Sequence, residues 1–207
     1  MNQHQELALG FLTMAESYRK SAHYLTRSVD ENLLTLRTSA PIDQLYAHSL
    51  ELSLKAGLLL AGCETSQLRS YEHNILKMYD SLAEGTEAGL IRTAERNTRA
   101  KWRSFLREAR DTYRLKFTDL GLDPNSDLSE FGVYDNATIG GEIPIPRDQI
   151  IWLSKRHAYN GSLFRYHETR LDSRQQISAF GLSTDVVRLS SSFLGEELET
   201  LIRRCLK

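Results

Sequence analysis

The sequence has little of what marks a secreted, membrane-spanning or thiolate-metal protein. It holds two cysteines in 207 residues, and the wide separation of Cys63 and Cys205 fits no metal or redox spacing. Two free thiols are typical of a reducing compartment. The most apolar run, from Ala56 to Cys63, is far too short to span a bilayer. Polar residues interrupt the first dozen positions, where a signal peptide needs an apolar core. We therefore expect a cytoplasmic protein that does not bind membranes.

Excess charge and the familiar cofactor motifs are also missing. The formal net charge is -1, so the whole-molecule field favours neither nucleic acids nor cations. There is no Gly-rich phosphate loop, no metal-binding helix pair and no nucleophile elbow. We expect no metal and no cofactor.

Apolar residues recur at intervals of three and four along most of the chain, which predicts an all-α protein. From Leu50 onward the second helix is apolar on most of its circumference, so we expect a central helix that packs on several sides. Gly62 is a suitable end for this helix, because glycine readily adopts the left-handed conformation. The predicted helices cover residues 3–28, 41–62, 73–82, 86–120, 147–159 and 183–206, with Thr65 or Ser66 capping a short helical turn before the third.

Residues 121–147 break this helical pattern. Seven glycines and prolines exclude a long helix there: Gly121, Pro124, Gly132, Gly140, Gly141, Pro144 and Pro146. Short extended pieces at 131–134 and 142–145 could pair as a hairpin. We expect a single domain over residues 1–207, with a basic helix at about 86–120 and a long irregular loop at about 121–147.

Several helical segments share a pattern with a known family. They read ALGFLTMAESYRKSAHYL (8–25), YAHSLELSLKAGLLLAG (46–62), SYEHNILKMYDSL (70–82) and, more loosely, WLSKRHAYNGSLFRYHE (152–168). These segments resemble the HEPN superfamily, the higher eukaryotes and prokaryotes nucleotide-binding helical domain. The basic helix and the loop after it look like additions to that pattern.

The resemblance implies a bundle of four to five helices that usually forms a homodimer. Family members include metal-independent ribonucleases of toxin–antitoxin and phage-defence systems, proteins that bind nucleotides or RNA, and pure interaction modules. Catalytic members carry an arginine, four to six residues, and then a histidine. The cation holds the scissile phosphate and the imidazole moves a proton.

None of the six histidines has an arginine at that spacing. The nearest pairs are Arg19 with His23 and Arg69 with His73, each with three intervening residues. In a helix, residues at i and i+4 still share a face, so both pairs are candidate catalytic pairs. The alternative is structural: His23 lies beside the apolar stripe of the first helix, and His73 fixes the turn after the second by a hydrogen bond.

Glu51 and Lys55 lie one turn apart in the helix that we expect to be most buried, and His48 precedes them by another turn. Buried charges are costly unless they are paired. These residues predict either a polar site that faces a groove or an intrahelical ion pair whose lysine stem reaches the surface. Arg165 and Tyr166, together with His157 and His167, form a second polar cluster near a helix end. The resemblance implies that Arg165 is an anchor to a carboxylate such as Glu51.

The predicted fourth helix carries a local excess of positive charge. Between Arg92 and Lys116, nine basic residues face three acidic ones, whereas residues 118–148 carry a net charge of -6. Arg99, Arg103 and Arg107 could form an RNA-binding face, with Trp102 as a stacking surface and the acidic segment as a gate or mimic. Alternatively, the acidic segment folds over the basic helix within the chain or across a dimer.

These patterns favour a non-catalytic HEPN-like dimeric module that binds RNA, nucleotide or a protein partner, in stress or defence. The first alternative is a metal-independent endoribonuclease of the toxin type with a divergent Arg/His site. The second is a scaffold subunit without affinity for nucleic acids.

Overall fold

The computed structural model describes residues 2–31, 33–34, 40–125, 147, 150–151, 153–154, 157 and 184–207. The predicted all-α class is confirmed, since these residues contain helices and turns but no strand. Within the described ranges, no helix is both long and apolar enough to cross a membrane. The helices whose bounds fall within the described residues are α1 (Gln3–Asp30), α2 (Ala40–Leu60), α3 (Thr65–Ser70), α4 (Ile75–Glu84), α5 (Ala88–Asp119) and α6 (Thr184–Cys205).

The helix ends follow local chemistry that the sequence largely shows. Gly62 has a φ of +83° after α2, and Cys63 N–H donates to the Leu58 carbonyl, so α2 closes with a Schellman motif as expected for this glycine. The predicted cap of α3 is wrong. Thr65 is already helical, and Glu64 precedes it without a side-chain cap bond.

Helix α2 lies at the centre of the bundle, in contact with α1, α3, α4 and α6. Leu50, Leu54, Leu58 and Leu59 are all buried, which confirms the prediction of a helix packed on several sides. The α1–α2 contact includes a hydrogen bond from Ser49 Oγ to the Ala15 carbonyl at 2.8 Å. Because α2 is enclosed, any polar side chain on it must find its partners within the protein.

Helices α5 and α6 close the bundle around this centre. Leu194, Leu198 and Ile202 of α6 are buried in the same core cluster as Ile91 of α5. The α1–α6 contact is polar: Arg19 donates to Glu199 through two nitrogens, at 2.8 Å and 3.4 Å. Helical residues of the 147–157 segment add Ile150 and Leu153 to the core.

Trp102 is not the stacking surface that the sequence predicts. Its side chain is 3% exposed and packs edge-on against Phe105 and Phe193. Its register with Ile91 and Ala94, which are also buried, already places it on the apolar side of α5. The predicted hairpin, most of the 121–147 loop, and the candidate residues Arg165 and Tyr166 lie outside the described residues.

Candidate functional site

A single buried carboxylate gathers most of the polar residues that the sequence analysis singles out on α2. The Glu51 side chain is 1% exposed. Its Oε1 accepts from Lys55 Nζ at 2.5 Å, and its Oε2 lies 3.3 Å from His48 Nδ1. The three residues stand at i-3, i and i+4 on one face of α2, so the helix itself sets their arrangement.

His73 reaches the same carboxylate from the turn between α3 and α4. Its Nδ1 lies 3.1 Å from Glu51 Oε2 and 3.2 Å from Oε1. The preceding residue, Glu72, has a φ of +51°, and Asn74 caps α4 by accepting from Lys77 N–H. This left-handed residue followed by a cap turns the chain so that His73 points at α2. The hydrogen bond with which His73 is predicted to fix this turn is therefore made to Glu51.

His157 completes the cluster from a distant part of the sequence. Its Nε2 lies 2.7 Å from Glu51 Oε2, and its side chain is 1% exposed. One turn earlier, Ser154 accepts from Leu76 N–H and donates to Asn74 Oδ1, so the segment is docked on the start of α4. Among the described residues, His157 Nδ1 has no hydrogen-bond partner. Since Nε2 donates to Glu51, it carries the proton and Nδ1 does not when the ring is neutral.

The electrostatics keep Glu51 ionised. Burial raises the pKa of this carboxyl, but hydrogen bonds from His157, His48 and Lys55 outweigh burial and hold the pKa well below its usual range. The exposed fraction of the donors rises from His157, at 1%, to Lys55 at 17%, His48 at 23% and His73 at 51%. The cluster, which we call the Glu51 centre, is therefore buried at its carboxylate and open to solvent at His73.

This arrangement offers imidazole nitrogens and a fixed anion within one small volume. A buried carboxylate that accepts from an imidazole sets the tautomer and orientation of that ring. His73 is the ring that solvent or a ligand reaches most easily. The same nitrogens can act in proton transfer or serve as ligands of a metal ion.

The other candidate pair, Arg19 and His23, lies in a structural setting. Arg19 is committed to Glu199 on α6. His23 Nδ1 lies 3.2 Å from Tyr46 Oη, and Nε2 lies 3.0 Å from Ser192 Oγ. Both ring nitrogens are thus bound between helices. Arg69 is exposed on α3, ahead of His73 in the turn.

A second polar feature lies along one face of α5. Consecutive arginines are separated by four, three, four, four, three and four residues, which places them within about 80° of the helix circumference over about 33 Å. We call this set the arginine stripe: Arg92, Arg96, Arg99, Arg103, Arg107, Arg110 and Arg114. The candidate residues Arg99, Arg103 and Arg107 are therefore neighbours on one face.

The opposite side of α5 fixes the direction in which the stripe points. Lys101 Nζ pairs with Glu196 at 2.7 Å and Glu197 at 2.8 Å on α6, and Asn97 also donates to Glu197. Tyr79 of α4 donates to Glu95. These contacts hold the α4- and α6-facing side of the helix in the bundle, so the stripe turns outward.

Most of the stripe is available for a ligand. Arg96, Arg99, Arg103 and Arg107 are exposed, and no carboxylate of the described residues lies within 4.0 Å of their guanidinium groups. Arg110 differs, because it pairs with Asp111 and its side chain is 13% exposed. The acidic segment 118–148, which is predicted to fold over this helix in the alternative interpretation, lies largely outside the described residues.

His157 is the site residue whose role the sequence does not show. The sequence places it beside Arg165 and Tyr166, but its partner Glu51 is 106 residues away. No local spacing connects two residues so far apart. No family model, curated protein or solved structure matches the chain, so the Glu51 centre and the arginine stripe carry the functional argument by themselves.

Proposed function

We propose that the protein is a non-catalytic, HEPN-like module that binds RNA through the arginine stripe of α5. The observation that carries this proposal is the exposure of at least four successive arginines on one helical face without a carboxylate partner among the described residues. An intramolecular role would pair these guanidinium groups, as Lys101 is paired on the other side of the same helix. The homodimer that the resemblance implies stays a prediction.

The chemistry of the stripe suits a phosphate backbone better than a folded protein surface. Arginine forms a planar fork that binds phosphate oxygens through two parallel hydrogen bonds. Successive stripe residues are about 4.5–6 Å apart along the axis, so a strand can be contacted repeatedly. With Trp102 buried, base stacking is not expected from that residue, and binding through the stripe should depend little on base sequence. The HEPN resemblance favours RNA over DNA as the strand.

Binding of a labelled single-stranded RNA of about 20 nucleotides, followed by fluorescence anisotropy, tests this proposal. The R96Q/R99Q/R103Q variant should bind at least tenfold more weakly at low salt. The slope of log K against log salt concentration should fall in magnitude by about 2. Each phosphate contact on a single strand contributes about 0.7 to this slope, and the variant removes three such contacts. The matched control is R27Q/K77Q/R204Q, which removes the same charge from exposed positions off the stripe.

The control separates local contacts from overall charge. Equal losses in the two triple variants would show that net charge, not the stripe, governs binding. No binding by the wild type at low salt would favour the scaffold alternative. The RNA should remain intact throughout in the presence of EDTA.

A metal-independent ribonuclease is the second candidate function, since His73 is half exposed and oriented by the buried Glu51 carboxylate. An imidazole held in this way can accept or donate a proton. Cleavage of RNA in EDTA that disappears in His73→Ala would support this candidate and contradict the non-catalytic proposal. Cleavage that persists in the variant would point to a contaminating nuclease.

A further inference from the structure

We propose that His48, Glu51 and His157 form a site for a divalent transition-metal ion of the Zn²⁺ class. Each of these residues offers one ligand atom within 4.8 Å of the ligand atoms of the other two. Two imidazole nitrogens and one carboxylate oxygen are a common donor set for metals that keep an exchangeable position. This inference is independent of the arginine stripe and reverses the expectation, drawn from sequence alone, that the protein binds no metal.

The distances between the donor atoms fit a metal centre. Bonds of about 2.0–2.2 Å in tetrahedral geometry place neighbouring ligand atoms about 3.3 Å apart. Glu51 Oε2 is 3.3 Å from His48 Nδ1 and 2.7 Å from His157 Nε2. A shift of about half an ångström at His157 therefore brings both nitrogens to coordination spacing from Oε2. The proton that His157 Nε2 donates to Glu51 leaves this nitrogen when the metal binds, either by release to solvent or by transfer to Nδ1.

The two oxygens of Glu51 have separate tasks in this arrangement. Lys55 holds Oε1 at 2.5 Å, so Oε2 is the oxygen turned toward the imidazoles of His48 and His157. The lysine thereby orients the carboxylate as an outer-shell partner would. It also offsets the carboxylate charge while the site is empty of metal.

The fourth position of the ion faces His73. This ring approaches Oε2 to 3.1 Å from the side that is open to solvent, and half of its side chain is exposed. His48 is packed edge-on against Tyr18, and His157 is buried, so these two rings are held more firmly than His73. The open side gives the ion its route of entry, and His73 can take or release the fourth position.

Titration of the EDTA-treated and dialysed full chain with Co²⁺ tests the site, because the visible absorption of Co²⁺ reports its coordination geometry. We expect one ion per chain, with the intense absorption of a four- or five-coordinate centre, and displacement by Zn²⁺. His48→Gln and His157→Gln should each weaken binding at least tenfold. His23→Gln is the matched control, since it removes an imidazole that binds Tyr46 and Ser192 outside the centre.

Folding is checked separately by circular dichroism. His48 is partly exposed, so His48→Gln should stay folded. The metal-binding test therefore remains valid with this variant even if His157→Gln unfolds. Zn²⁺ should raise the thermal midpoint of the wild type and of His23→Gln, but not of His48→Gln. The proposal is overturned by a Co²⁺ spectrum like that of the hydrated ion, or by equal affinity in the wild type and His48→Gln. The Glu51 centre would then be a hydrogen-bonded cluster only.

Discussion

Glu51 shows how one residue can determine the partners of several others. A carboxylate enclosed in a helix bundle has no water to bind, so its oxygens require donors from the chain. Lys55 and His48 come from the same helix, whereas His73 and His157 come from later parts of the chain. The sequence identifies the first two by spacing. Only folding brings in the other two.

His23 carries a prediction about the pH dependence of stability. Burial lowers its pKa, and the positive charge of Arg19 lowers it further, against an opposing effect of Glu196. Below the ordinary value of about 6.5 the unfolded chain therefore binds more protons than the folded chain, and the free energy of unfolding falls as the pH drops. His23→Gln should lose less stability between pH 7 and pH 5 than the wild type, as measured by urea unfolding at each pH. Parallel pH profiles for the two proteins would contradict this prediction.

At the scale of helices, Gly57 is a position where α2 packs tightly against α4 and α6. A Cβ on Gly57 would lie 2.8 Å from Leu82 Cδ2 and 3.6 Å from Ile202 Cδ1, whereas a Cβ on Gly10 of α1 meets no atom within 4 Å. Both glycines are in helix interiors, where alanine is intrinsically favoured by about 1 kcal/mol. Their different surroundings, not their helix propensities, should decide the effect of substitution.

We therefore expect Gly57→Ala to destabilise the protein by about 1–3 kcal/mol through overpacking. Gly10→Ala should stabilise it by up to about 1 kcal/mol, since the exposed site has space for the methyl group. Urea unfolding followed by circular dichroism measures both. A neutral or stabilising Gly57→Ala would mean that Leu82 can move aside without cost.

Helix α5 illustrates why an element can be predicted while its role is not. Its length and the seven arginines follow from the sequence, and Ala88–Asp119 agrees closely with the predicted span of 86–120. The same sequence suggested Trp102 as an exposed ring, and the structure buries it against Phe193 of α6. The register of Trp102 with Ile91 and Ala94 favours burial over exposure, and Phe193 of α6 supplies the ring that covers it.

At the scale of the molecule, one core cluster joins α1, α2, α4, α5, α6 and the segment around Ile150. Such a core should unfold in a single transition. Leu198→Ala removes a fully buried side chain and should cost about 2–5 kcal/mol. Leu115→Ala, at a leucine that is 67% exposed, should change stability by less than about 0.5 kcal/mol.

The measurement for this prediction uses two probes. Far-ultraviolet circular dichroism reports the helices. Tryptophan fluorescence, recorded with Trp152→Phe in every protein compared, reports the surroundings of Trp102. The two unfolding curves should coincide in the wild type and shift together in Leu198→Ala. Separate transitions would show that α6 and α5 detach before the rest of the bundle.

The sequence by itself determined the helical class, the approximate helix bounds, the central position of α2, the closure at Gly62 and the ion pair between Glu51 and Lys55. These features depend on residues within a few turns of one another, where periodicity and spacing act directly. The tertiary structure alone decided that His73 and His157 converge on Glu51, that Phe193 covers Trp102 and that the arginine stripe faces outward. Each of these depends on which distant helix packs against which face, and in one sequence no local spacing encodes that choice.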